Sequence, residues 1–170
     1  MYHVKSSSKS YVSFYISTYY NYRIDMMVKL FKDKFYLSFF LIGIIGFLFP
    51  FIDLYERESL SRISVHTFFL LIILFPIIEE CLFRGVLHSL LLKINLLQNR
   101  LLTISFANFL TSILFVLMHF FNHPPLWALL VIVPSIIYGY FRERFNHLLP
   151  PILLHIWYNF IYFILISSDF

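Results

Sequence analysis

The segment VHTFFLLIILFPIIEECLFRGVLHSLLL, residues 65–92, runs for 28 positions with only Glu79, Glu80 and Arg84 formally charged. About 18 consecutive apolar residues are enough to mark a membrane span. The rest of the chain has the same character: 60% of its 170 residues are hydrophobic and 13% are charged. A soluble domain carries about a quarter charged residues, so an aqueous surface cannot be built from this composition. Long unbroken apolar runs exclude a closed barrel, which needs short alternating strands around a polar lumen. The sequence therefore predicts an all-α, polytopic transmembrane helical bundle.

Five apolar stretches, at 35–52, 65–92, 101–121, 126–141 and 150–167, predict about five spans. Proline or charge punctuates the connections: Pro50, DLYERESLSR, KINLLQNR, NHPP and RERFNHLLPP. Residues 1–34 form a polar, basic leader with no compact apolar core, so no cleavable signal peptide is expected. The membrane domain then covers 35–170. Alternating five spans gathers ten Lys and Arg residues on one side: Lys5, Lys9, Arg23, Lys29, Lys32, Lys34, Lys93, Arg100, Arg142 and Arg144. Only Arg57 and Arg62 fall opposite, and Arg84 lies inside a span. That bias places the N-terminus in the cytoplasm and the C-terminus outside. The net charge of +4 resides in these flanks, and no nucleic-acid partner is expected. The 65–92 stretch is long for one span, which predicts a strong tilt or an interfacial end.

A charge at mid-bilayer costs about 2.5–3.5 kcal/mol on insertion scales, so the polar island at 79–84 needs a purpose. Glu80 and Arg84 are four apart, share a helical face and can neutralise each other as a structural pair. Glu79 points about 100° away around the helix, and a single arginine cannot fully compensate both carboxylates. Burial beside a like charge is the setting in which a carboxylate becomes a general base or acid. Two further apolar helices carry polar residues: FVLMHF places Phe115 and His119 on one face, and HIWYN does the same for His155 and Asn159. Each alone reads as a packed histidine or interhelical glue. Together they suit peptide-bond hydrolysis: a carboxylate to take a proton from water, an imidazole to hold that water, and donors for an oxyanion. Zinc held by Glu79, His119 and His155 is the rival arrangement, since two histidines and a carboxylate form a known catalytic ligand set.

Other protease chemistries lack their residues. No His-Glu dipeptide occurs, so there is no HExxH motif. The four glycines, Gly43, Gly46, Gly85 and Gly139, build no GxSxG elbow. Cys81 is the only cysteine, which excludes an internal disulfide and a cysteine zinc cluster.

EECLFR (Glu79–Arg84), FVLMH (Phe115–His119) and HIWYN (His155–Asn159) resemble, in order, the Glu-Glu-x-x-x-Arg, Phe-x-x-x-His and His-x-x-x-Asn/Asp motifs of the CPBP family. This is the CAAX protease and bacteriocin-processing, or Abi, family, and the resemblance covers about 65–167. It implies a glutamate-type intramembrane endopeptidase, a short form in a bacterial inner membrane, acting on a peptide or protein with a membrane-associated segment. By position, Glu79 would activate water, His119 would help hold it, and His155 and Asn159 would stabilise the oxyanion. Glu80, Arg84 and Phe115 would support them. No cofactor is expected on this resemblance, with zinc as the lesser alternative. Two non-protease readings stay open: a bacteriocin immunity or interaction protein on the same scaffold, and a small transporter or proton pathway. In the simple topology His119 lies late in one span and His155 early in a parallel one, which separates them in depth.

Overall fold

The computed structural model describes residues 24–48 and 64–167, in two units, Met1–Leu37 and Ser38–Phe170. In the first unit, residues 24–32 form helix α1, so the end of the polar leader is helical. Asp33 separates it from α2 (Lys34–Leu48) and caps the new helix: its Oδ1 accepts the Tyr36 amide at 3.0 Å. The remainder of the leader, and segment 49–63 with Pro50, Arg57 and Arg62, lie outside the described residues.

In the second unit the apolar stretches become α3 (Val65–Leu91), α4 (Phe106–His119), α5 (Pro125–Leu130), α6 (Ile132–Phe145) and α7 (Leu149–Ser167). Among the described residues two runs are long and apolar enough to cross a membrane, Val65–Leu91 and Pro125–Phe145; Lys34–Gly43 and Phe106–His119 are apolar but shorter. The boundaries depart from the sequence reading where capping chemistry decides them. Ser105 starts α4 by accepting the Asn108 amide at 2.9 Å, so this helix begins five residues later than the apolar stretch. Arg142 and Arg144 were expected in a loop but lie in the last turn of α6, where they complement the helix dipole. Asn146, at φ 49, ends that helix in the left-handed conformation. The all-α expectation also needs one correction: a hairpin pairs β1 (Arg100–Leu101) with β2 (Ile104–Ser105). Arg100 closes its turn by donating to the Thr103 carbonyl at 2.8 Å.

α3 is 27 residues long, about 40 Å at α-helical pitch. It is not uniformly α-helical. Leu70–Leu74 and Cys81–Leu87 wind as π-helix, and these wide turns bracket Phe75–Glu80. Such turns often sit at functional positions because they redirect the side chains that follow.

At one end of the unit a polar clasp joins α3, the hairpin and α6. His88 and Glu143 meet at 3.0 Å, and Ser105 and Arg100 both donate to the same carboxylate. The 93–100 connection and the basic end of α6 therefore share one end of the unit. Midway along, α4 and α6 approach closely at Gly139. Asn108 Nδ2 donates to the Ile136 carbonyl at 3.0 Å while its Oδ1 accepts from Ser112. A Cβ at Gly139 would collide with that Oδ1, which its hydrogen bond holds in place. Gly139→Ala is expected to force the helices apart and cost at least about 1–3 kcal/mol, read as a lower thermal midpoint in detergent.

Candidate active site

His155 of α7 meets α3 between its two π-helical segments, Asn159 meets the first of those segments, and Phe115 of α4 stands against Arg84 in the second, with His119 one turn beyond it. Glu80 and Arg84 are both fully buried. Arg84 Nη1 donates to Glu80 Oε1 at 3.2 Å, the contact their spacing requires. Its Nη2 reaches α6, donating to the Ser135 carbonyl at 2.8 Å and to Ser135 Oγ at 2.6 Å. The guanidinium also lies over two rings, 4.5 Å from the centre of Phe115 and 5.5 Å from that of Tyr138. One arginine thus ties α3, α4 and α6 together.

His155, on α7, sits between the two glutamates. Its Nδ1 is 2.9 Å from Glu80 Oε1, the same oxygen that Arg84 uses, and its Nε2 is 3.6 Å from Glu79 Oε2. The imidazole is held flat against Tyr138, with centroids 4.8 Å apart and planes 20° apart. With Nδ1–H donated to Glu80, Nε2 is the nitrogen directed at Glu79. The two carboxylates differ sharply in access: the Glu80 side chain is 0% exposed and that of Glu79 is 34% exposed.

His119 closes α4. Its Nδ1–H donates to the Phe115 carbonyl at 2.9 Å, which leaves Nε2 as the free acceptor. The Phe115 ring is 4.6 Å from His119 and 5.9 Å from His155, so it stands between the two imidazoles. Phe115, not His119, is the α4 residue with a contact to His155 of α7. α4 has only 14 residues, and the residue that meets α7 is Phe115, one turn before its end. In the turn that follows, His123 packs on Trp127 at 4.0 Å. Burial, and then the neighbouring His119, holds the His123 imidazole below its ordinary value.

Asn159 lies one turn beyond His155, and its Nδ2 donates to the Leu71 carbonyl of α3 at 3.0 Å. α7 therefore passes α3 in the opposite direction. Among the described residues no three His, Cys, Asp or Glu side chains are arranged to hold a metal ion. Both His155 nitrogens face carboxylates, and His119 commits Nδ1 to the backbone.

Sequence reasoning missed Ser135 and Tyr138, which hold Arg84 and His155. Their signal was a buried face on α6: Ser135, Tyr138 and Gly139 recur at three and four residues, two of them small. Removing Arg84 would strand a buried carboxylate. Arg84→Ala is expected to cost about 3–5 kcal/mol and to lower the thermal midpoint far more than Glu79→Gln does.

Residues 61–161, more than half of the chain, match the family model described as type II CAAX prenyl endopeptidase Rce1-like. Every residue of the candidate site falls within the match. No curated protein and no solved structure gives a significant match.

Proposed function

Because the chain belongs to the Rce1-like family of type II CAAX prenyl endopeptidases, a membrane-embedded protease family, we propose that it is an intramembrane endopeptidase in which Glu79 activates water. The observation that carries this is the unequal pairing of the adjacent carboxylates. Glu80 is sealed from solvent and shares Oε1 between Arg84 and His155. Glu79 is partly open and lies 3.6 Å from the far nitrogen of that same imidazole. The closed carboxylate orients, and the open one does chemistry.

In the proposed reaction Glu79 takes a proton from water while the water oxygen bonds to the scissile carbonyl carbon. The carbonyl electron pair moves to its oxygen. His155, held through Nδ1–H by Glu80, acts on that developing charge in its doubly protonated form, donating Nε2–H to the oxyanion, and His119 accepts the remaining water proton in a hydrogen bond through its free nitrogen. When the intermediate collapses, the C–N bond breaks and the proton on Glu79 passes to the leaving amine. No step uses a metal. The substrate is a protein or peptide whose cleavage site lies beside a membrane-associated segment, processed at a C-terminal tail or a leader.

Comparative membrane proteomics of wild type and Glu79→Gln tests this reading. Uncleaved precursors are expected in the variant, with a loss of rate of at least about 10²-fold for Glu79→Gln and His119→Ala and with normal membrane insertion. Unchanged processing by both variants would sink it. A chelator is expected to leave cleavage intact.

The membrane in this reading is a bacterial inner membrane, crossed about five times, with the leader in the cytoplasm. The ten-to-two distribution of Lys and Arg supports that orientation. A phosphatase fused to the C-terminus should then be active only if exported, and its inactivity would reverse the topology.

A further inference from the structure

Pro76 interrupts α3 three residues before Glu79, and it carries no backbone N–H. The Phe75 amide, the last donor before it, goes to the Leu70 carbonyl, which closes the wide turn of Leu70–Leu74. In that wide register the Leu71 carbonyl should be met by the amide of residue 76, and proline has none to offer. A backbone carbonyl left unpaired in an apolar span is strongly unfavourable, because no water is at hand to replace the lost bond. The missing donor comes from another helix: Asn159 Nδ2 donates to Leu71 O at 3.0 Å.

We infer that Asn159 is a positioning residue whose amide replaces the N–H that Pro76 lacks, pinning α7 to the proline break of α3. The consequence is a register. His155 lies one turn before Asn159 on α7, and Glu79 and Glu80 follow Pro76 within a turn on α3. A pin at Leu71 fixes how far α7 slides along α3, and so where the His155 ring stands between the two carboxylates. Leucine, valine or alanine at 159 would leave the carbonyl orphaned. The inference rests on the protease reading for its effect on rate, but the pin itself does not depend on that reading.

The test is a rescue cycle in the full-length protein, purified in detergent: Asn159→Leu, Pro76→Ala and the double variant. Thermal midpoint and cleavage of a membrane-anchored reporter are both read. Asn159→Leu is expected to lower the midpoint and to reduce kcat by about 10²-fold with KM little changed, as for a misplaced catalytic group. Pro76→Ala restores a backbone donor, so the double variant should recover most of both losses. Equal losses from Asn159→Leu with and without the Pro76→Ala substitution overturn the inference. Recovery of the midpoint without recovery of kcat keeps the pin and overturns the positioning role, since the amide would then be acting on the substrate directly. If the wild type itself cleaves nothing, the protease reading fails while the midpoint cycle still decides the pin. Should Asn159→Leu not fold, Asn159→Asp serves instead. A carboxyl group donates only when protonated, and an aspartate titrates at about 4 in water and higher in an apolar site, so its midpoint deficit should shrink as the pH falls from about 7 to about 4. A deficit independent of pH would overturn the inference.

Discussion

A single buried oxygen, Oε1 of Glu80, receives both the Arg84 guanidinium and the His155 imidazole. Burying a carboxylate is costly unless charge and hydrogen bonds compensate it, and each of the two partners comes with a constraint. Arg84 brings Ser135 on α6 and lies over Phe115 of α4, while His155 brings α7. Four helices are therefore referred to one atom. The same pairing withdraws Glu80 from solvent and leaves Glu79, its neighbour in sequence, as the carboxylate that remains partly open.

Aromatic packing gives this electrostatic hub its rigidity. Phe115 contacts Phe83 edge-on at 4.9 Å and also stands against Arg84, His119 and His155. Tyr138 covers the other ring of the site, flat on His155. Planar side chains lose little rotamer freedom on burial and fix the orientation of what they touch. A histidine caught between Tyr138 and a carboxylate has its tautomer and its plane set at once. The clasp of Glu143 with His88, Ser105 and Arg100 holds the far end of α3 and α6, so the helices that carry the hub are tied at two levels.

Much of the site was legible because its residues violate a local rule. Glu79, Glu80 and Arg84 stand out in an apolar run, and helical spacing pairs Glu80 with Arg84 without any tertiary information. Phe115 with His119, and His155 with Asn159, could be placed on helix faces for the same reason. Ser135 and Tyr138 were not legible, since a serine and a tyrosine in an apolar helix break no rule by themselves. The hairpin at 100–105 was hidden within an apolar stretch, where Ser105 starts the helix only because its hydroxyl reaches the Asn108 amide.

By itself the sequence determined the helical class, the apolar stretches and the polar residues that stand out within them, because hydropathy and helical periodicity are properties of neighbours along the chain. It could not determine which carboxylate is closed and which is open. That depends on where α7 comes to rest, bringing one imidazole between two adjacent glutamates and one amide to the carbonyl that Pro76 leaves unpaired. Those contacts join residues more than seventy positions apart. Only the packed helices set their distances.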